Sequence, residues 1–212
     1  NAITDKNTRL NFANDLNTID LFFLFEAELA FSEFINIVNS NFSNIDLLKQ
    51  VYINDKIEPV YITSRLRPEG EVLDVIPDHI QMKSSELSGA GKVGNFSFLK
   101  DIGENITTVL SNRGCRAQCT FCSVRNFNGV KVRQRSVQSV IDELLFLRNE
   151  QNIKHIMWLD DDLLYNTKRT IELFNEMVKQ KVDITWDASN GVIAASVTDE
   201  IMSAAEDSGC LG

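Results

Sequence analysis

Three thiols lie within eight residues: Cys115, Cys119 and Cys122, in the run Arg113-Gly-Cys-Arg-Ala-Gln-Cys-Thr-Phe-Cys-Ser-Val-Arg125. The whole chain of 212 residues holds only four cysteines, so this clustering is not a by-product of packing. Spacings of three and two residues let a tight loop turn three thiolates toward one inorganic centre. Soft thiolates select zinc, Cu(I) or iron–sulfur clusters. Three local ligands suit a four-iron cluster with one iron left to another molecule. A structural zinc site would want a fourth ligand, and zinc motifs usually come as two close pairs. The remaining candidates, Cys210, His79 and His155, repeat no ligand spacing. Cysteines acting as small apolar fillers would not sit among Arg, Gln and Thr. The pattern favours an iron–sulfur site.

The elements around the thiols are readable from periodicity. Ile106-Thr-Thr-Val-Leu-Ser111 predicts a strand from whose C-terminal end the cysteine loop departs. After a turn at Gly129, Ser136 can cap a helix with an apolar stripe of Val137, Val140, Ile141, Leu144 and Leu147. Ile153–Leu159 predicts the next strand, ending in Asp160-Asp161-Asp162. A helix over about Thr167–Lys179 is expected to bury Ile171, Phe174, Met177 and Val178. Ile184-Thr-Trp186 is a third strand, followed by the Asn190-Gly191 loop. A last helix runs from Thr198 to a stop at Gly209, with Asp199 and Glu200 in its first turn to suit the dipole. The order βαβαβα predicts an α/β fold with parallel strands and right-handed crossovers. In parallel α/β barrels catalytic loops sit at the C-terminal ends of strands. The cysteine loop, the Asp triplet and the Asn-Gly loop all fall there.

The C-x-x-x-C-x-x-C run, with Phe121 just before its last cysteine, resembles the signature of the radical SAM superfamily. That resemblance implies a [4Fe–4S] cluster held by Cys115, Cys119 and Cys122. Its open iron would be chelated by the amino and carboxylate groups of S-adenosylmethionine (SAM). One-electron reduction would then split the sulfonium and give a 5′-deoxyadenosyl radical that abstracts hydrogen from a substrate. The protein supplies positioning and exclusion of water. The likeness covers about residues 107–212. Val132-Arg-Gln-Arg-Ser136, leading into Val140-Ile-Asp-Glu143, is similar to the segment opening the first barrel helix of cobalamin-binding radical SAM proteins. Asp161-Asp162 with Leu164 resembles their acidic turn. Where other members place Gly-Gly-Glu to hold the SAM ammonium, this chain has Leu-Asp-Asp-Asp, so the carboxylate is retained and the glycines are lost. The resemblance implies Phe121 near the adenine and Asp160, Asp161 or Asp162 at the ammonium, the alternative for the triplet being a solvated, helix-capping turn. Ser189-Asn190-Gly191 and Ser208-Gly-Cys210 look like the third-strand loop and the turn before the fourth strand, and the resemblance makes Asn190 a further candidate cofactor-binding residue. Cys210 is then structural. Arg113, Arg125, Arg133 and Arg135 are expected for the most part to be solvated at the surface, and could otherwise balance the cluster or the SAM carboxylate.

Upstream, Ile19–Phe25 with Glu26-Ala-Glu28 resembles the strand and Gly-Glu-x-Glu turn of a cobalamin-binding domain. The glycine is absent, and the His-containing cobalamin loop expected further upstream is not in this chain. A helix with Leu29, Phe31, Phe34, Ile35 and Val38 facing inward should follow. A short helix is expected at Ile45–Lys49, then strands near Val51–Ile53 and Val60–Thr63 joined by a hairpin at Asn54-Asp55. Residues 1–18 are polar, with a weak helical hint at Leu10–Leu16. The expected organisation is residues 1–63 as the C-terminal part of a Rossmann-like, cobalamin-binding-like α/β domain. Residues 64–104 form a connector, in which Gly89–Gly94 lacks the ending of a phosphate loop and reads as loop. Residues 105–212 form the N-terminal half of a TIM-like radical SAM barrel. Three βα units fit after Asn105 where family barrels have six, and a half barrel would leave an exposed sheet edge. Beginning at Asn1 rather than Met, the chain is expected to be a fragment of a longer protein.

A net charge of −9 argues against a nucleic-acid backbone as the main partner. No apolar run reaches the length of a transmembrane helix, no signal peptide is apparent, and clustered reduced thiols fit a cytoplasmic location. The resemblance adds an electron donor such as flavodoxin or ferredoxin, and cobalamin as a further cofactor. Methyl transfer, ring formation and methylthiolation are the reactions it leaves open. The alternative is an iron–sulfur electron carrier or a zinc-stabilised binding module without catalysis. An electron carrier would normally offer a fourth nearby cysteine.

Overall fold

Three helices with the same kind of start set the architecture of the second half of the chain. The computed structural model describes residues 21–41, 51–53, 60–64, 67–81 and 105–212, together with positions 7, 8, 11 and 15, which are helical. Along the chain these residues form β1 (Leu21–Leu24), α1 (Glu28–Asn41), β2 (Val51–Ile53), β3 (Val60–Ser64), a 3-10 turn (Gly70–Val72), β4 (Ile106–Val109), β5 (Asn112–Arg113), α2 (Val124–Asn128) and β6 (Arg133–Gln134). They continue with α3 (Val137–Gln151), β7 (His155–Trp158), α4 (Thr167–Lys179), β8 (Thr185–Asp187), a 3-10 turn (Ala194–Ser196) and α5 (Asp199–Asp207). The Ile45–Lys49 helix, the Asn54-Asp55 turn and the Gly89–Gly94 loop lie outside the described residues. The chain divides into two compact units, residues 1–68 with 119–129, and residues 69–118 with 130–212.

In the second unit β4, β7 and β8 form a parallel sheet in that order, with Ile106 opposite His155 and His155 opposite Thr185. Each following helix is capped by a side-chain oxygen that accepts from a backbone N–H three residues on: Ser136 from Ser139, Asn166 from Arg169, and Thr198 from Ile201. Alternation along the strands splits their faces. Val109, Ile156, Trp158 and Trp186 join one core with Val140, Ile141, Leu144 and Leu147 of α3, Leu173, Phe174 and Met177 of α4, and Ile201, Ala204 and Ala205 of α5. Trp186 stacks on Phe174 at 4.8 Å between centroids and meets Trp158 edge-on at 6.4 Å. The other strand face carries Thr108, His155, Met157, Thr185 and Asp187.

Val178, expected inside, is 47% exposed, and Leu173 takes the core position instead. Successive helical residues turn by about 100°, so the face through Thr170, Phe174 and Met177 also takes in Leu173 but leaves Val178 outside. Beside the third strand the chain makes a further parallel pairing after the Ser208-Gly-Cys210 turn. Trp186 N–H donates to Gly209 O, Leu211 N–H to Trp186 O, and Ala188 N–H to Gly212 O, and Trp186 pairs in parallel with Cys210. Residues 209–212 therefore start a fourth parallel strand. Gly209 must be glycine twice over: its φ is +96°, and a Cβ there would lie 3.1 Å from Ile184 O.

Part of the expected connector is built into this unit. Leu73 is buried, Asp74 Oδ1 accepts from Ser136 N–H at 2.6 Å, and Asp74 O accepts from Ser139 Oγ. Farther along, His79 Nε2 lies 2.8 Å from Glu143 Oε1, and its ring stacks on Phe146.

In the first unit β1 pairs in parallel with β3, and β3 pairs antiparallel with β2. Phe23 meets Phe31 and Phe34 edge-on at 5.3 and 5.6 Å. The covered face of α1 runs through Ala30, Phe34 and Ile37. Phe31, Ile35 and Val38 of the expected stripe are exposed. Leu29 and Phe34 of that stripe are half-buried, and Phe31, though exposed, still meets Phe23. Among the described residues no helix is long and apolar enough to cross a membrane.

Candidate metal and SAM site

The cysteine loop begins with a two-stranded ribbon that the sequence reading did not anticipate. Beyond β4, Asn112-Arg113 pairs antiparallel with Arg133-Gln134, so the loop leaves from and returns to a fixed base. At its start Gly114 has φ +96°, and a Cβ there would stand 2.5 Å from Lys131 O. No side chain fits. Ala117 N–H donates to Cys115 Sγ at 3.3 Å, and Cys122 N–H to Cys119 O at 3.1 Å. All four cysteines are free; Cys115 is half-buried, and Cys119 and Cys122 are exposed. Cys115 belongs to the second unit, Cys119 and Cys122 to the first. Among the described residues no three His, Cys, Asp or Glu side chains converge on a point that could hold a metal ion. The donor set still fits a cluster by its chemistry: three free cysteines, soft ligands, lie within eight residues, and one, Cys115, already accepts an N–H bond. Phe121 is 89% exposed.

The acidic turn after β7 divides into three different carboxylates. Asp160 is buried, and its oxygens accept from Ser111 N–H at 2.9 Å and Ser111 Oγ at 2.6 Å. Burial raises its pKa to about 6, against the lowering effects of the Ser111 bonds, the Asn112 backbone and the Arg169 charge. Asp162 is also buried, with Arg116 on its carboxylate and Asn112 Nδ2 donating to its backbone oxygen at 3.0 Å. Asp161 is half-exposed. The solvated-cap alternative therefore does not describe Asp160 or Asp162, whose carboxylates tie the turn to the end of β4 and to the cysteine loop.

After β8, Asn190 Nδ2 donates to Leu159 O at 2.9 Å, bringing the third loop against the residue that precedes Asp160. Behind it, Ser189 Oγ donates to Asp187. Asp187 Oδ2 lies 2.9 Å from His155 Nε2, whose Nδ1 lies 2.9 Å from Thr185 Oγ1. His155 and Asp187 are completely buried. Both histidines thus face carboxylates inside the second unit. Strand register sets His155 opposite Thr185 and Met157 opposite Asp187.

The four arginines do not behave alike. Arg133 and Arg135 are buried at 6% and 8% exposure, against the expectation of surface solvation. Arg135 donates to Leu110 O, Ser139 O and Ser139 Oγ and pairs with Glu143, so it joins the strand end to the first turn of α3. Sequence reasoning missed Ser111, Arg116, Glu143 and Arg169. Arg169 donates to Arg135 O and Ser111 O, and burial lowers its pKa although Asp160 opposes that. Cys210 packs against the core, and burial raises its pKa.

Asp160 makes the fold pH-sensitive in a direction opposite to most carboxylates. Its folded pKa is raised, so between about pH 4 and 6 the folded state binds more protons than the unfolded one, and stability falls as pH rises. From 3.8 to about 6 this is worth about 3 kcal/mol. Asp160→Asn keeps an acceptor for Ser111 N–H. Denaturant midpoints across that range should decline with pH in the wild type and decline less in the variant. Parallel curves for the two proteins would rule out Asp160 as the source.

Residues 109–211 match the family described as the Radical SAM superfamily. Over 216 aligned residues the chain is 28% identical to a cytidylyl-2-hydroxyethylphosphonate methyltransferase of Streptomyces wedmorensis, covering 90% of this chain and 39% of that protein. Over 102 residues it is 36% identical to an uncharacterised methyltransferase of Pyrococcus horikoshii, covering 48% of this chain and 22% of the relative. The chain thus spans well under half the length of these relatives. A solved structure of the cobalamin-dependent S-adenosylmethionine radical enzyme OxsB, with aqua-cobalamin and S-adenosylmethionine bound, superposes with TM-score 0.51. It shows 20% identity and covers 76% of this chain and 21% of that one, which makes it a likeness of fold.

Proposed function

We propose, from the match of residues 109–211 to the radical SAM superfamily, that the chain is part of a cobalamin-type radical SAM enzyme, acting as a methyltransferase. The observation that carries the reading is the convergence at the C-terminal ends of three consecutive parallel strands. Asp160 holds Ser111, Arg116 holds Asp162, and Asn190 holds Leu159. A structural zinc module or an electron carrier has no need of that arrangement.

Cys115, Cys119 and Cys122 would hold a [4Fe–4S] cluster, which would supply the electron for reductive cleavage of SAM. The protein's own part is positional. Gly114 lets the chain turn beside Lys131, and the Ala117 N–H donates to Cys115 Sγ and fixes its place in the loop. The Asp turn offers negative charge to the SAM ammonium, Asp161 through its half-exposed side chain. Asn190 fixes the third loop against the turn, and Phe121 offers an apolar ring to the adenine.

Residues 1–63 are assigned to the C-terminal part of a cobalamin-binding-like domain and 105–212 to the first half of the barrel. His155 does not fit as a cobalt ligand, since it is buried with both ring nitrogens engaged, by Thr185 and Asp187. Methyl transfer is favoured by the names of the relatives, and an electron donor of the flavodoxin or ferredoxin type and a cytoplasmic site of action complete the reading.

Anaerobic reconstitution with iron and sulfide tests it, followed by electron paramagnetic resonance of the reduced protein with and without SAM. A [4Fe–4S]⁺ signal that shifts on adding SAM is expected. A signal indifferent to SAM returns the chain to the electron-carrier class, and stoichiometric zinc without a cluster sinks the reading.

A further inference from the structure

We propose that Arg116 is a positioning residue that locks the three loops of the site into one frame; this rests on the radical SAM reading of the same site. Arg116 directly follows the ligand Cys115, so its side chain and the Cys115 backbone move together. Its Nε lies 3.0 Å from Asp162 Oδ2 and its Nη2 3.3 Å from Asp162 Oδ1, while its backbone N–H points at Oδ2 from 3.4 Å. Nη2 also donates to Ser196 Oγ in the loop after β8, and the guanidinium lies 5.8 Å from the Tyr165 ring centre. One planar fork therefore touches the loop after β4, which is its own, the turn after β7 and the loop after β8.

The chemistry suits arginine alone. A lysine carries the charge but not two parallel N–H groups for the two oxygens of one carboxylate. The Asp162 side chain is completely buried, whereas Arg116 is 38% exposed. Solvent screens the cation, but loss of the partner strands a carboxylate away from water. The assignment also sorts the triplet. Asp160 is engaged by Ser111 and Asp162 by Arg116, both inside the protein, whereas the Asp161 side chain is half-exposed. A ligand gripped at two points, by the cluster beside Cys115 and by the turn after β7, is held well only if those points keep their separation. Misplacement by about 1 Å can cost about a hundredfold.

The test uses the full-length protein reconstituted anaerobically, with Arg116→Ala, Arg116→Lys, Asp162→Ala and the Arg116→Ala/Asp162→Ala double variant. Iron and sulfide content should stay at the wild-type level, because no thiol is touched. The SAM concentration that half-saturates the paramagnetic shift should rise by about tenfold to a hundredfold in each alanine variant. It should rise no further in the double variant, since both changes remove one interaction. Arg116→Lys should fall between wild type and Arg116→Ala, and supplies the readout if the alanine variant loses its cluster. Additive losses would mean that Asp162 meets SAM directly, and they overturn the proposal. So does an unchanged SAM response, or loss of the cluster from Arg116→Lys as well as Arg116→Ala. A wild-type cluster that ignores SAM overturns the enzyme reading itself, and is told apart because no variant then shows a response.

Discussion

Alanine in place of Cys115, Cys119 or Cys122 should abolish the SAM-responsive paramagnetic signal completely, whereas Cys210→Ala should retain it. A cluster with three protein ligands has none to spare, and loss of one leaves two, too few to hold four irons against exchange with solvent thiols. The contrast with Cys210 gives the experiment its force. Cys210 lies at the start of a fourth strand beside Trp186, half-buried against the core, and burial raises its pKa. Its loss removes a small apolar contact and no ligand. Iron and sulfide analysis beside the spectra separates an absent cluster from one that has lost its response to SAM. A Cys119→Ala protein that still carried a full, SAM-responsive cluster would remove the thiol assignment, and with it the proposed function.

Glu143→Ala should cost about 3–5 kcal/mol of stability, the usual consequence of removing one partner from a buried ion pair. Glu143 and Arg135 are 2% and 8% exposed and pair directly. Without the carboxylate, the Arg135 charge keeps its bonds to Leu110 O and Ser139 but loses its counter-charge. The same change removes the group facing His79, so the segment around residues 73–79 loses one of its attachments to α3. Glu143→Gln retains an acceptor and should cost less. Chemical denaturation followed by circular dichroism measures both. Equal midpoints for wild type and Glu143→Ala would show that water reaches the pair and that its burial contributes nothing.

The site's chemistry was largely legible because its parts are local in sequence. The cysteine spacing, the strand before it and the Asp triplet each lie within a few residues, and α4 runs from Thr167 to Lys179 as its periodicity and caps require. What failed were statements about direction and partnership. Val178 was assigned inward because it is apolar, yet a helix of this length buries one face and leaves Val178 on the other. Surface solvation, expected for most of Arg113, Arg125, Arg133 and Arg135, does not hold for Arg133 and Arg135, and Glu143, eight residues beyond Arg135, supplies the counter-charge that makes burial of Arg135 tolerable.

By itself, then, the sequence determined which thiols and carboxylates are at hand, the order of the three parallel strands and their helices, and the end of the sheet at which the loops gather. These follow from short-range spacing, from helix and strand periods, and from the rule that parallel strands return through helices. Only the tertiary structure decided which aspartate is tied to which loop. Ser111 and Asp160 are 49 residues apart, Arg116 and Asp162 are 46, and Asn190 and Leu159 are 31. No local pattern encodes such pairings, because they depend on strand register and on which charges must be neutralised once buried. The sequence named the carboxylates; packing separated the two held inside the protein from the one presented outward.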